Sequence, residues 1–223
     1  MEMAYSGHVE PGGPAATREL PDVTISKLSV GDMDNNTYLL VCRKTGDATL
    51  IDAASDNERI LDLLGDGPER PRLRSIVTTH RHRDHWEALP SVAGMTGANL
   101  YAGAADADAL PVPTDVPLEQ GSVVPLGDCR LEVIALRGHT EGSVALLYRD
   151  PEGSAHLFSG DSLFPGGPGR TTCREDFDSL MADLQTRVFD VLPDDTWVYP
   201  GHGDDTTIGA ERPSISEWLT RGW

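Results

Sequence analysis

The chain has 223 residues, which is long enough for one domain with a substantial apolar core. It carries 36 acidic and 18 basic side chains, a formal net charge of −18, which argues against a nucleic-acid partner because phosphate backbones are bound by clustered Lys and Arg. No apolar run approaches the length of about 20 residues that crosses a bilayer, and no secretory signal pattern is visible. We therefore expect a cytoplasmic protein with no membrane partner.

Residues 1–21 show little periodicity and contain Pro11, Gly12, Gly13 and Pro14, so we predict a loose, flexible lead-in there and a single domain over residues 22–223. Ten short strands are predicted in that domain, which implies two sheets. In chain order they cover residues 23–30, 38–42, 49–52, 73–78, 98–101, 122–125, 131–137, 143–148, 155–158 and 196–199.

Helices alternate with these strands. They are predicted over residues 56–64, 85–93 and 176–189, with one or two short helices in 206–221. Ser55 and Glu58 predict a capping box for the first helix. One apolar stripe on the third helix predicts core packing, through Phe177, Leu180, Met181, Leu184 and Val188. Trp218 and Trp223 are expected to cover apolar surface. The pattern predicts an α/β fold with stacked sheets between outer helices.

Three cysteines, Cys42, Cys129 and Cys173, form an odd set with no close pair in the sequence. Such a set fits a reducing compartment better than a disulfide framework. Cys173 lies near a Gly-rich loop, but we assign it no role.

Residues 80–85 place four metal-binding side chains directly after an apolar run: His80, His82, Asp84 and His85. Neutral imidazole and carboxylate suit zinc or iron rather than calcium. A plain polar loop in which Asp84 caps a helix, paired with Glu87, would explain the acidic residues but not three histidines. The segment therefore predicts a metal site.

Three further candidate ligands each follow a predicted strand: His139, Asp161 and His202. Ligand sites in layered folds gather where strands give way to loops, because the sheet holds the loop ends rigid. We expect these side chains to join those of the 80–85 segment.

The chain resembles the metallo-β-lactamase superfamily from about residue 22 to residue 212, and within it the glyoxalase II-like (hydroxyacylglutathione hydrolase-like) branch of thioester hydrolases. The resemblance rests on His80-x-His82-x-Asp84-His85, Gly138-His139-Thr140, Gly160-Asp161-Ser162-Leu163-Phe164 and Gly201-His202-Gly203. It implies a four-layer αββα sandwich of two mixed β-sheets flanked by helices.

Carried over by position, the resemblance implies two metal ions, most simply two Zn²⁺, with iron or a mixed iron and zinc pair as alternatives. One ion would be held by His80, His82 and His139. The other would be held by Asp84, His85 and His202, with Asp161 bridging both. Asp52, which closes a predicted strand, matches a structural aspartate of the superfamily.

The chemistry implied is attack by a metal-bridging hydroxide on the thioester of a small-molecule substrate. Two metals about 3.5–4 Å apart lower the pKa of a shared water toward neutrality. Asp84 would orient the hydroxide as well as bind metal. The sequence gives no indication of the oligomeric state.

Arg170 follows a loop of Pro and Gly residues, 165–169, directly after Asp161. We weigh two interpretations equally. Arg170 either steers an acidic substrate toward the site or is a solvated residue of a plain turn.

Two departures from the glyoxalase II pattern leave the substrate open. Relatives with an additional C-terminal helical region use it to supply basic residues to glutathione, whereas this sequence ends at Trp223, so glutathione specificity is not carried over. Arg137 also stands where many relatives have proline.

Alternatives remain both within the hydrolases and in other classes. They are a lactone or ester hydrolase, a mononuclear iron persulfide dioxygenase using His80, His139 and Asp161, and a non-catalytic metal-binding scaffold. A true β-lactamase is disfavoured, because those families generally lack an aspartate at the position of Asp161.

Overall fold

A computed structural model of the chain describes residues 5–65 and 70–222. Two large sheets dominate these residues. The first has seven strands, whose order across the sheet follows the chain. They are β1 (Ala16–Glu19), β2 (Val23–Val30), β3 (Asn35–Cys42), β4 (Asp47–Ile51), β5 (Arg72–Thr78), β6 (Asn99–Gly103) and β7 (Val116–Leu118).

The second sheet has six strands, and a separate two-stranded hairpin interrupts their sequence. The strands of both are β8 (Val123–Leu126), β9 (Cys129–Ala135), β10 (Val144–Arg149), β11 (Ala155–Gly160), β12 (Leu163–Phe164), β13 (Gly167–Pro168), β14 (Trp197–Pro200) and β15 (Thr206–Thr207). The six-stranded sheet runs in the order β15-β14-β11-β10-β9-β8, and β12 pairs with β13 outside it.

Both sheets mix parallel and antiparallel pairs. In the first, β1 to β4 are antiparallel neighbours, whereas β4 to β7 run parallel. In the second, β11 and β14 are parallel and the other neighbours antiparallel. Parallel strands end at the same edge of a sheet, so the loops after β4 and β5 leave one edge together, as do those after β11 and β14.

Helices cover the outer faces of both sheets. They are α1 (Asn57–Leu64), α2 (Leu89–Thr96), α3 (Arg174–Leu184), α4 (Ile208–Glu211) and α5 (Ile215–Arg221). Ile60 of α1 and Val92 of α2 are buried against the first sheet. Leu180 of α3 and Trp218 of α5 are buried against the second.

A third apolar cluster lies between the two sheets. Ile25 and Leu40 of the first sheet share it with Val133, Leu146 and Phe158 of the second, and all five are buried. Helices, sheet, sheet and helices therefore form four layers, which confirms the predicted αββα sandwich. None of the helices in the described residues has the length and apolarity that a membrane span requires.

All ten predicted strands are present, with ends that differ by at most three residues from those predicted. The predicted loose lead-in, residues 1–21, contains β1, which pairs along β2 from Ala16 to Glu19. In addition, Tyr5 packs against the ring of Trp197. Over residues 5–21, edge pairing with β2 and the contact of Tyr5 with Trp197 hold the chain in place, and neither leaves a periodic pattern in the sequence.

Two helix starts differ from prediction. Ser55 and Glu58 form no capping box, because Asp56 occupies the N-cap with φ 52° and its carboxylate accepts a hydrogen bond from Gly31 N instead. The helix predicted over residues 85–93 is a 3₁₀ turn, Arg83–His85, followed by α2 from Leu89.

The later helices follow the prediction more closely. Helix α3 is extended by a single π-helical turn, Gln185–Phe189, so helical backbone spans the predicted segment. Its predicted apolar stripe is buried. Two short helices, α4 and α5, occupy the predicted terminal region, and Trp218 is buried. Trp223 lies outside the described residues.

Candidate metal centre

Five loops converge at one edge of the sandwich, and each follows a strand. His80, His82, Asp84 and His85 follow β5, Asp52 follows β4, His139 follows β9, Asp161 follows β11 and His202 follows β14. The structure thus brings together all seven metal ligands predicted from the sequence.

The first group of side chains contains His80, His82 and His139. His80 Nε2 lies 3.0 Å from His82 Nδ1 and 3.3 Å from His139 Nε2. His80 is buried, His139 partly buried and His82 exposed, so this group opens toward solvent on one side.

The second group contains Asp84, His85 and His202. His85 Nε2 lies 3.4 Å from Asp84 Oδ2 and 3.2 Å from His202 Nε2. His202 Nε2 lies 3.3 Å from Asp84 Oδ2. The three donor atoms form a nearly equilateral triangle.

Asp161 lies between the two groups. Its Oδ2 atom is 3.5 Å from His139 Nε2 in the first group and 3.5 Å from His202 Nε2 in the second, while its Oδ1 atom is 3.3 Å from His85 Nε2. A carboxylate in this position can give an oxygen to each of two ions.

These spacings are those of coordinated atoms. Zinc bonds of about 2.0–2.1 Å in tetrahedral geometry place neighbouring ligand atoms about 3.3 Å apart. The nitrogen pairs above are 3.0–3.3 Å apart, although at most one proton can lie between two imidazole nitrogens. A metal ion at the centre of each group would bind the lone pairs of both facing nitrogens at once.

Two further observations fit bound metal. Within the described residues, the buried Oδ1 atom of Asp161 has no hydrogen-bond donor, which is costly for an isolated carboxylate oxygen. A Cβ atom on Gly201 would lie 2.2 Å from that same oxygen and 2.7 Å from His85 Cε1. The Gly-His-Gly segment therefore leaves the centre clear of side chain.

Hydrogen bonds at the outer nitrogens fix the orientation of the rings. His139 Nδ1 donates to the Arg170 carbonyl at 2.7 Å, and His202 Nδ1 donates to the Met33 carbonyl at 2.9 Å. Carbonyl oxygens only accept, so both Nδ1 atoms carry a proton and both Nε2 atoms face the centre, where each can bind a metal ion through its lone pair. His80 Nδ1 contacts Thr79 Oγ1 at 3.1 Å in the same way.

Asp52 orients the remaining buried ring. Its Oδ2 atom accepts from His85 Nδ1 at 2.9 Å and from Thr79 Oγ1 at 2.8 Å, and its Oδ1 atom accepts from Thr79 N at 2.7 Å. Asp52 has φ 57°, a left-handed conformation that aspartate tolerates better than most residues. This turn directs the carboxylate behind His85, as expected from its match to the superfamily's structural aspartate.

The carboxylates make the centre favourable for positive charge. Burial opposes a charge on His85, but Asp52 and Asp161 outweigh burial and raise the pKa of His85 to about 10. Burial likewise opposes a charge on His202, yet the carboxylates beside it raise its pKa to about 10. Burial and the neighbouring His85 hold the pKa of His80 well below its usual value. The centre thus combines a neutral imidazole with carboxylates that favour a cation between them.

Asn35 is a site residue that the sequence did not reveal. Its Nδ2 atom donates to Asp84 Oδ2 at 2.9 Å and lies 3.5 Å from His202 Nε2. The next residue, Asn36, donates to the carbonyls of Pro200 and Gly203 on either side of His202. Both asparagines lie at the start of β3, far from these partners in sequence, and no local motif marks them.

Arg170 is exposed, and its guanidinium has no hydrogen bond or ion pair in the described part of the chain. Its backbone carbonyl is the acceptor that orients His139. The backbone of Arg170 therefore lies beside the centre, and its side chain is exposed. Cys173 is exposed and stands at the N-cap of α3, outside the donor groups.

A four-layer αββα sandwich with two adjoining His and Asp groups at one edge defines a class of metal-binding α/β proteins. Comparison identifies the family: the model of the metallo-beta-lactamase superfamily matches residues 30–202. The chain belongs to this superfamily.

Curated relatives carry the name of the predicted branch. A protein named hydroxyacylglutathione hydrolase from Fuscovulum blasticum is 35% identical over 171 residues, which cover 76% of this chain. The chain spans 62% of the length of that relative.

Solved structures share the fold. The B3 metallo-beta-lactamase BLEG-1 superposes with a TM-score of 0.72 at 28% identity, covering 85% of this chain and 96% of that one. ETHE1 from Myxococcus xanthus gives a TM-score of 0.72 at 28% identity, covering 86% and 84%.

Proposed function

We propose that the protein is a dinuclear metal-dependent hydrolase that cleaves a thioester of a small molecule, as in the glyoxalase II-like branch. The observation that carries this proposal is the pair of three-ligand groups that share Asp161, because a single buried carboxylate between two such groups suits two adjacent ions. The relatives named hydroxyacylglutathione hydrolase support the same branch.

The ions would be held by the predicted ligands. His80, His82 and His139 would hold one, Asp84, His85 and His202 the other, and Asp161 both. Nitrogen and carboxylate donors suit zinc or iron, and we propose zinc. When bound, the pair supplies Lewis acidity and a water of lowered pKa.

Asp84 is the residue we propose to position the attacking water. Burial would raise the pKa of its carboxyl group, but hydrogen bonds from His202 and Asn35 outweigh burial and hold the pKa well below its usual value. The side chain is 24% exposed, so an ionised oxygen is available to accept a hydrogen bond from water at the open side.

The leaving group favours a thioester. A thiol has a pKa of about 8.5, so a thiolate departs without a proton donor, whereas an amine leaving from an amide needs one. With metal bound, the imidazoles and carboxylates of the two groups would serve as ligands or proton acceptors, so they would offer no acid to an amine leaving group. Thioesters are therefore favoured over β-lactams as substrates.

Arg170 is proposed to attract an acidic part of the substrate. Its free guanidinium lies on the loop that orients His139, in a chain of net charge −18 that otherwise repels anions. In an Arg170→Ala variant we expect the KM for an acidic thioester to rise several-fold with little change in kcat. An unchanged KM would assign Arg170 to a plain turn.

A second candidate is a mononuclear iron persulfide dioxygenase. The likeness to ETHE1 favours it, and so does the grouping of His80, His139 and Asp161, whose donor atoms lie 3.3–4.0 Å apart. A lactone hydrolase would use the same dinuclear centre as the thioesterase.

The proposal is tested with a substrate panel. Purified enzyme is assayed against acyl thioesters of several thiols, lactones, a β-lactam and a persulfide, alongside Asp161→Asn and, as a control, Asp178→Asn on the exposed face of α3. We expect thioester turnover that falls by orders of magnitude in Asp161→Asn and is kept in Asp178→Asn. Persulfide-dependent oxygen consumption without thioester turnover would overturn the proposal.

A further inference from the structure

Asp106 lies outside the two ligand groups, yet it contacts both loops that carry the first group. We propose that Asp106 is a positioning residue that fixes the relative positions of His80, His82 and His139. It would thereby govern the affinity of one of the two metal ions. The inference rests on the proposed dinuclear function and deepens it, because it assigns the two ions separate supports.

Four donors converge on this carboxylate. Asp106 Oδ2 accepts from Arg81 N at 2.9 Å and from Thr140 Oγ1 at 2.5 Å. Asp106 Oδ1 accepts from Gly142 N at 3.0 Å and lies 3.4 Å from an Arg81 guanidinium nitrogen. Arg81 separates His80 from His82 in the chain, and Thr140 directly follows His139. Asp106 therefore fixes the backbone beside every ligand of the first group.

The contact is rigid as well as short. Asp106 is fully buried, and Thr140 is 3% exposed. A Cβ atom on Gly142 would lie 2.4 Å from Asp106 N and 2.7 Å from its carboxylate carbon, so the His139 loop packs directly on the residue. A buried carboxylate with four donors is costly to replace, because each donor that loses its acceptor stays desolvated.

The second group has different supports. His202 is oriented by the Met33 carbonyl, and its loop is held by Asn36 through the carbonyls of Pro200 and Gly203. His85 is held by Asp52. Within the described residues, the Asp106 carboxylate contacts none of these groups, so a change at Asp106 should act on one ion alone.

An amide cannot replace the carboxylate here. Asparagine has nearly the same shape but only one acceptor oxygen, so its NH₂ group must face either the two donors at Oδ1 or the two at Oδ2. Loss of such outer hydrogen bonds costs about 10–100-fold in metal affinity. Asp108, two residues further along and exposed, provides the matched control.

The test is competitive zinc titration of the intact protein with a chromophoric chelator, which yields the dissociation constants of both sites. For Asp106→Asn we expect one constant to weaken by about 10–100-fold while the other stays at the wild-type value. Asp108→Asn should match wild type in both. Thr140→Val removes a single donor and should weaken the same constant by a smaller factor. This variant replaces Asp106→Asn in the test if Asp106→Asn does not fold.

The identity of the weakened site is checked in combination with ligand variants. His82→Ala should weaken the same constant as Asp106→Asn, and the double variant should show no further loss at the remaining site. Equal weakening of both constants, or no change in either, would contradict the inference. A wild-type chain that binds only one ion would refute the dinuclear function instead. In that case the positioning role stands only if Asp106→Asn weakens the binding of that single ion, because His80 and His139 are among its ligands.

Discussion

At the scale of single residues, the centre depends on which nitrogen each histidine presents. The sequence supplies the histidines, but their ring orientation comes from acceptors that no motif contains: the carbonyls of Met33 and Arg170 and the carboxylate of Asp52. The HxHxDH segment therefore predicts which residues bind metal, and the non-local contacts determine how they do so. Asn35 and Asp106 escaped prediction for the same reason, because their partners lie in other loops.

Asp52 provides a direct residue-scale test. In Asp52→Asn the amide can no longer accept from all of His85 Nδ1, Thr79 Oγ1 and Thr79 N. We expect metal affinity to fall about 10–100-fold, measured by chelator competition. Asp22→Asn, on an exposed residue, is the control. Wild-type affinity in Asp52→Asn would show that His85 needs no carboxylate behind it.

His156 gives a prediction for stability as a function of pH. It is buried between Tyr148 and Tyr199, and burial, with a smaller effect of Arg18, lowers its pKa to about 4. The unfolded chain binds a proton at this residue below about pH 6.5, whereas the folded chain does not until about pH 4. The free energy of unfolding should therefore fall by up to about 3 kcal/mol as the pH drops from about 6.5 to about 4. Above about pH 6.5, His156 is neutral in both states and costs the folded protein no stability.

The measurement is urea unfolding of wild type and His156→Gln from pH 4 to pH 7.5 in the same metal-saturated buffer. The other titrating groups are common to both proteins, so the difference between the two curves isolates His156. We expect the variant's stability to depend less steeply on pH. Parallel curves would show that His156 titrates normally in the folded protein.

At the scale of elements, strands were predicted more accurately than helix starts. Val23–Val30 is rich in the β-branched residues Val, Ile and Thr, and Ala155–Gly160 contains Leu157 and Phe158, so both runs could be recognised as strands in the sequence. The predicted capping box of α1 was wrong because Asp56, not Ser55, is the N-cap, in a left-handed conformation that serves a contact with the β2–β3 loop. Short strands such as β7 and β15 are defined by their pairing with β6 and β14, and they are too short to show an alternating sequence pattern.

Helix α5 contributes a buried tryptophan to the apolar core. Trp218 is 1% exposed, packs near Phe189 with ring centroids 6.1 Å apart, and contributes to the cluster beneath the second sheet. Trp218→Ala should lower the free energy of unfolding by about 3–5 kcal/mol in a urea titration. Leu219→Ala, at a neighbouring position that is 47% exposed, should cost about 0.5 kcal/mol or less. Similar losses in both variants would place Trp218 outside the core.

At the scale of the whole molecule, two sheets bring loops from distant parts of the chain to one edge. His80 and His139 are 59 residues apart, and His85 and His202 are 117 apart, yet their nitrogens lie within 3.3 Å. The layered fold followed from alternating strands and helices together with the family resemblance. The pairing of the loops, and the ordered segment before β2, needed three-dimensional information. The high negative charge agrees with the proposal of a small-molecule substrate rather than a nucleic acid.

The central claim is that the chain holds two metal ions in adjoining groups. The most direct measurement is zinc and iron per chain, by plasma mass spectrometry, on protein purified without added metal and again after equilibration with zinc and dialysis. We predict two ions per chain, mostly zinc, and a clear loss in Asp161→Asn. No more than one ion per chain under both conditions, above all a single iron, would contradict the dinuclear account and favour the dioxygenase.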